Sequence, residues 1–555
     1  MKLLKEVEKV KKNSFIEGSI IATLSIILIK ILGMIYVIPF YKIVGSDGGA
    51  LYSYGYNIYV IFLSISSAGI PNAISKIISE YNVLNFKEAK NRARKIAKKI
   101  ITIISFIAFA ILFIFAEEIG QFIIQDLKGN NTYQDIAFII RCVSPAILAI
   151  PVLSVEKGYL QGHNYIKPSS LSELIEQIVR IFVILCGSYL CLKVFNGTLS
   201  LGVGIAISGA FFGGLAAYIY LRHSIKKNKE QLDLIKTEKQ DEISNKEILK
   251  KIFKYALPFV ILSIALHVYN FTDQLLVLRT IENMNYSAVD VEFIASAIST
   301  WAPKICTIIT AFATGIATSL IPTIVREHAV ENKKSVNSYI NKSLALVFSI
   351  SLPLAIGISV LAKPIWFMFY NDNPYGWMIL GYTVFSTMLY NVYIILTSIL
   401  QSLNKFKVVY KVALSGFIIN AVLDVPLMHL FNNIGLNAFY GAITSSIIGY
   451  SLSLAIGLIY LNKKENIDYK ESTGIIKKDI ICAIAMLIVL IVVNKILHFN
   501  QLTIIGAVAT IAINMICGGA VFTLCAYKMG ILNSLFGEEM INKVLKKLKF
   551  IKVKN

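Results

Sequence analysis

The chain contains no Walker loop, no HExxH pair and no cysteine array with metal-ligand spacing, so nothing in it points to direct ATP hydrolysis or a zinc site. Charge is scarce, at 16 % of 555 residues, and acid is scarcer still: 33 Asp and Glu against 54 Lys and Arg, a formal net charge of +21. With 56 % hydrophobic residues and a mean hydropathy of +0.67, no soluble domain of this length accounts for so many uninterrupted apolar runs. The expected class is an all-α polytopic membrane protein. The seven cysteines (Cys142, Cys186, Cys191, Cys306, Cys482, Cys517, Cys525) fall in apolar segments and read as small hydrophobes. The six histidines are scattered; His163 reads as a solvated loop residue and His267 as a packed, hydrogen-bonded one. The Phe and Tyr residues read mainly as lipid-facing or interfacial belts.

Spans counted by length and polar flanks number fourteen, with approximate cores at 18–40, 51–79, 97–116, 136–157, 171–193, 199–221, 253–280, 294–325, 341–361, 376–402, 409–430, 438–461, 479–497 and 501–527. The first run is too long for a cleavable leader and lacks a small-residue cleavage site, which predicts that it stays as a helix. Positive charge sits in alternate loops: Lys87 to Lys99, Arg222 to Lys254, Lys463 to Lys478, and the tail with Lys546, Lys547, Lys549, Lys552 and Lys554. The intervening loops carry Glu117, Glu118, Asp126 and Asp135, or Glu282, Asp290 and Glu292. This is the positive-inside pattern of a membrane protein, not a nucleic-acid face, and it places both termini in the cytoplasm. The basic arm at 1–14 suits anionic phospholipids of the inner leaflet.

Two motif pairs recur. LQGHNYIK at 160–167 matches LQSLNKFK at 400–407, and GIPNAISK at 69–76 resembles LIPTIVRE at 320–327, each at the cytoplasmic end of a span. Spacings of about 240 to 251 residues imply two parallel six-helix repeats. The expected organisation is an arm (1–14), a six-helix bundle (15–221), a charged linker (222–252) and a second bundle (253–461). A basic loop (462–478), two further helices (479–527) and a basic tail (528–555) follow.

Ionisable residues inside the spans are the functional candidates, because a charge at the bilayer centre costs at least ~2.5–3.5 kcal/mol. Lys30 lies about ten residues, roughly 15 Å, from either end of the first run. Glu173, Glu176, Gln177 and Arg180 follow i, i+3, i+4, i+7 on the fifth span, and His267, Asn270, Asp273 and Gln274 make a stripe on the seventh. Lys304 follows Pro303 on the eighth, Asn420 and Asp424 are one turn apart on the eleventh, and Arg141 lies inside the fourth. The bland reading is that such residues pair across helices and hold the bundle. The functional reading is an anion site in which Lys30 and Lys304 face Asp273 across a cleft, suited to a phosphate-bearing substrate and ill suited to a cationic drug.

The stretches IKILGMIYVIPF, VGSDGGALYSYGYN and GIPNAISKIISEYN, with the span count, resemble the MOP exporter superfamily. They are most similar to the YtgP branch of MurJ-type lipid II flippases; stage V sporulation protein B and Wzx-type polysaccharide exporters are relatives. The resemblance covers essentially the whole chain and is most specific in the first eighty residues. It implies a V-shaped, alternating-access transporter of the bacterial inner membrane. Its cationic cavity takes the pyrophosphate and sugar of an undecaprenyl-linked precursor, and its last two spans hold the lipid tail.

By motif position the resemblance puts Lys30 where the family has its first-span cavity arginine and Lys304 close to the eighth-span one, counting back from Leu-Ile-Pro at 320–322. Tyr36 stands where Gram-negative members have a second arginine, and no counterpart of the second-span arginine occurs near Phe62. The expectation is therefore a non-enzymatic flippase for lipid II in peptidoglycan synthesis, driven by membrane potential or an ion gradient. Lys30, Lys304, Asp273, Asn270 and Gln274 would bind substrate; Glu173, Glu176, Gln177, Arg180, Arg141 and Asp424 would form the cavity network. No cofactor is expected beyond a coupling ion, Na+ or H+, and no metal is assigned. The expected partners are the lipid-linked glycan and the cell-wall synthesis machinery; a monomer suffices, and no nucleic acid is expected. The alternatives are a sporulation or capsule glycan flippase, a cation-coupled multidrug antiporter, or a non-transporting scaffold.

Overall fold

The computed structural model describes residues 15–67, 69–125, 127–229, 232, 243–497, 499, 501–539 and 541–542. The basic arm at 1–14, residues 230, 231 and 233–242 of the linker, Asp126, His498 and the lysines at 543–554 lie outside the described residues. No strand occurs among the described residues. In a bilayer the backbone must satisfy its own hydrogen bonds, and an apolar chain of this composition does so as helices.

The first compact unit is Met1–Thr300. It contains α1 (Phe15–Ile35), α2 (Val37–Ser67), α3 (Ile70–Val83), α4 (Lys87–Ile114), α5 (Ala116–Ile124), α6 (Tyr133–Val143) and α7 (Ala146–Gly162). It continues with α8 (Ile166–Phe182), extended by π-helical turns to Val194, then α9 (Leu199–Lys227), α10 (Asn245–Ile281) and α11 (Ala288–Ser296). The second unit, Trp301–Asn555, holds α12 (Ala302–Ala329), α13 (Lys333–Val360), α14 (Ala362–Tyr370), α15 (Gly376–Ser402) and α16 (Phe406–Asn433). It ends with α17 (Phe439–Glu465), α18 (Lys470–Ile496), α19 (Ile504–Lys528) and the short α20 (Ile531–Phe536).

Among the described residues, twelve helical segments are long and apolar enough to cross a membrane. α1 and α10 stand at the other two positions where the sequence places spans. Polar caps set several helix starts: Thr132 with Asp135 and Ser244 with Glu247 form capping boxes, satisfying backbone N–H groups that have no partner within the helix.

The repeat motifs explain themselves at the backbone. Asn164 and Asn404 both adopt left-handed φ, 62° and 58°. Around them Tyr165 N donates to Leu160 O at 2.9 Å, and Lys405 N donates to Leu400 O at 2.8 Å. The shared asparagine is the residue type that tolerates this conformation at a helix end. The second motif pair diverges. Gly69, at φ 75°, breaks the chain before Pro71, whereas the corresponding Leu320 lies inside a continuous α12. Only the glycine can take that φ without strain.

In the first unit Ile74, Ile77, Tyr81, Ala93, Tyr159 and Ile248 belong to one dense core. α10 packs on α2, α3 and α4. Lys251 adds an ion pair with Glu80 at 2.6 Å. In the second unit α16 and α17 approach closely: a Cβ on Gly441 would stand 2.4 Å from the Leu427 and Met428 backbone. Gly441→Ala should therefore lower thermal stability by about 1–3 kcal/mol, measured as a fall in the melting midpoint of the purified protein. An unchanged midpoint would show that the two helices separate freely.

Candidate functional site

The site in the first unit is built where α1, α7 and α8 meet. Gly33 of α1 lies against α8, its missing side chain leaving room for Gln177, whose Nε2 would be 3.3 Å from a Cβ there. Lys30 lies one turn earlier on α1 and is half-buried. On α8, Glu176 receives Arg180 Nη2 at 2.8 Å and Lys157 Nζ at 3.3 Å; Lys157 also reaches Glu173 at 3.6 Å. Lys157, at 9 % exposure, comes from α7 and closes the network. Lys157 and Arg180 thus meet Glu173 and Glu176, two cations against two carboxylates.

Sequence reasoning missed Lys157. It ends an apolar run beside Glu156 and reads as an ordinary polar flank. Consecutive helical residues point about 100° apart. Glu156 accordingly turns to α4, pairing with Arg94 at 2.7 Å and Lys98 at 3.5 Å, while Lys157 turns to α8. The second omission is aromatic. Tyr52, Tyr56 and Tyr59 follow i, i+4, i+7 on α2, and instead of forming an interfacial belt they line a small cavity beside Arg180. The Tyr52 and Tyr56 rings stack at 5.9 Å and 15°. The signal was available, since the spacing is a one-face pattern.

Asp273 and Gln274 on α10 are buried. Gln274 accepts from Asn57 Nδ2 at 2.8 Å and donates to Ser53 at 2.9 Å, and Asn57 also reaches Ser299 and Thr300 at 3.2 Å. This cluster pins α10 to α2, so Gln274 has a structural duty. Asn270 is half-buried on the same helix, one turn before Asp273. Among the described residues Arg141 pairs with Glu117 at 3.0 Å and donates to the Phe113 carbonyl at 3.4 Å, away from the α8 stripe. His163 is buried, not solvated: its Nδ1 lies 2.9 Å from the Tyr159 carbonyl, at the end of α7 where the chain turns back.

In the second unit Lys304 opens α12 after a π-helical turn, Ala297–Trp301, and Pro303 occupies a first-turn position where its missing N–H costs little. Its ammonium lies 4.7 Å from the Trp301 ring centroid, a cation–π contact. Trp301 is itself fixed by Tyr370, whose hydroxyl donates to its carbonyl at 2.8 Å. Asp424 on α16 is fully buried and accepts from Ser445 of α17; Asn420, one turn away, donates to Ser445 at 3.2 Å. No group of three metal-ligating side chains occurs among the described residues.

Residues 15–328 match the family described as polysaccharide biosynthesis protein, more than half of the chain. The lipid II flippase MurJ of Bacillus subtilis is 30 % identical over 541 residues, covering 95 % of this chain and 98 % of that protein. The chain belongs to this family. It is a MurJ-type member of the MOP exporter superfamily, and residues 258–425 also match the MatE family. Stage V sporulation protein B of the same organism is 24 % identical over 239 residues, 41 % of this chain and 43 % of that one. Among solved structures, lipid II flippase MurJ in an inward closed conformation superimposes with a TM-score of 0.64 at 16 % identity, covering 92 % of this chain and 99 % of that one. An inward-facing multidrug resistance MATE transporter gives 0.60 at 13 % identity, covering 80 % and 99 %. Both show the fold of this multi-pass membrane family.

Proposed function

We propose that this MurJ-type protein flips an undecaprenyl-pyrophosphate-linked glycan precursor, lipid II, from the inner to the outer leaflet of the bacterial inner membrane by alternating access. The observation that carries the reading is the end-to-end 30 % identity to a protein named as a lipid II flippase. The cations inside the spans agree with it. In this reading Lys30 and Lys304 supply positive charge for the pyrophosphate, which disfavours a cationic drug. Lysine in place of arginine keeps the charge and gives up the bidentate fork. The reading needs no covalent chemistry, and the protein acts as a transporter, not as an enzyme. Asp273 serves as a counter-ion whose pairing changes between states. The drive is the membrane potential, worth about 2.3 kcal/mol per charge per 100 mV, or an Na+ or H+ gradient. The protein works as a monomer beside anionic phospholipids and the cell-wall synthesis machinery.

The test is complementation. Expression in a rod-shaped bacterium depleted of its own lipid II flippase should restore growth and cell shape. Failure to do so, with the protein shown in the membrane, would reject lipid II as the substrate. The partial likeness to stage V sporulation protein B would then direct the search to another glycan.

A further inference from the structure

The cavity beside Arg180 has chemistry that the inter-helix network does not use. Glu176 takes Nη2 of the guanidinium, and among the described residues Arg180 Nε has no hydrogen-bond partner. Tyr59 lines the same cavity and is 2 % exposed, and its hydroxyl likewise has no partner among the described residues. Buried polar groups are nearly always paired, and two unpartnered donors on residues that line one space call for an acceptor between them. The Arg180 side chain keeps 23 % exposure, although its Nε is closed to solvent.

Size decides what enters. The cavity offers about 10 Å³, the scale of one water molecule, which admits an oxygen atom and excludes a sugar ring. Charge decides which oxygen. A guanidinium fixed on one edge by a carboxylate presents its remaining N–H groups in a rigid fork, which favours a phosphate or carboxylate oxygen over a neutral hydroxyl. Tyr59 adds a second donor, and the stacked Tyr52 and Tyr56 close the apolar side. We propose that Arg180 and Tyr59 form an oxyanion subsite that takes one oxygen of a phosphate or carboxylate on the headgroup of the transported lipid; this rests on the flippase reading above. Glu176 and Lys157 are positioning residues, holding the guanidinium with its free edge inward.

The test uses the full chain in lipid nanodiscs and three probes: undecaprenyl pyrophosphate, a lipid-linked disaccharide-peptide with free carboxylates, and the same lipid with its carboxylates amidated. Tyr59→Phe should weaken binding about tenfold or more, the effect of losing a hydrogen bond to a charged group. Its melting midpoint should stay level or rise, because the hydroxyl satisfies nothing in the protein. Arg180→Lys, which keeps the charge and loses the fork, should show a similar fall in affinity. Weakening with all three probes identifies a phosphate oxygen; weakening only with the free-carboxylate probe identifies a carboxylate. Wild-type binding with undiminished Tyr59→Phe affinity overturns the subsite, the hydroxyl then meeting only water. A lowered Tyr59→Phe midpoint also overturns it, by making the hydroxyl structural. Failure of the wild type to bind any probe overturns the transport reading and the subsite with it.

Discussion

Lys30→Ala should abolish rescue of a flippase-depleted strain while the protein accumulates in the membrane at normal levels. The two halves of that result have separate causes. Removing an ammonium from the first span relieves an insertion cost of at least ~2.5–3.5 kcal/mol, so biogenesis does not suffer. Transport suffers because a charge-assisted hydrogen bond to a phosphate is worth about 1.5–3 kcal/mol, a ten- to hundredfold loss for each contact removed. Lys30→Met sharpens the test, since it keeps the length of the side chain and removes only its charge. If Lys30 served inter-helix packing alone, Met would retain transport. If it meets the substrate, Met should fail as Ala does, with an unchanged melting midpoint, and Lys30→Arg should retain activity. Normal transport by a well-expressed Lys30→Met protein would remove Lys30 from the site.

How much of this was legible in the sequence depended on the scale of the signal. Spans were readable because the bilayer imposes one length and one composition on each of them. The asparagine of the repeat motif was readable for a comparable reason: a left-handed residue at a helix end restricts the choice of side chain, and it recurs at 164 and 404. The Glu176–Arg180 pair was readable because both partners lie on one helix, four residues apart. Lys157 was not. Its partners are sixteen and nineteen residues away on another helix, and only the angle between α7 and α8 turns it toward them instead of toward water. Arg141 erred in the opposite direction. Its depth in the run suggested a cavity, but the break between α4 and α5 at Phe115 brings Glu117 back to it.

Glu176→Ala should be among the most destabilising single changes in the first unit, at about 3–5 kcal/mol, because it leaves Lys157 and Arg180 as neighbouring buried cations. At an effective dielectric of ~20, a carboxylate about 3 Å from each cation contributes roughly 5 kcal/mol per pair. That is comparable with the several kcal/mol needed to desolvate each ion, so the intact network contributes little net stability although breaking it is costly. The cost should therefore be recoverable. Glu176→Gln combined with Lys157→Met removes one charge of each sign, and its melting midpoint should lie well above that of Glu176→Ala, with a coupling energy of 0.5–3 kcal/mol in the double-mutant cycle. Stability and function then part company. With Glu176 gone, Arg180 loses the contact that orients its guanidinium. The stable double variant should bind the pyrophosphate-linked probe more weakly than the wild type. Recovery of both stability and binding would make the α7–α8 network a fastener between helices, and recovery of stability alone would make it the support that aims Arg180.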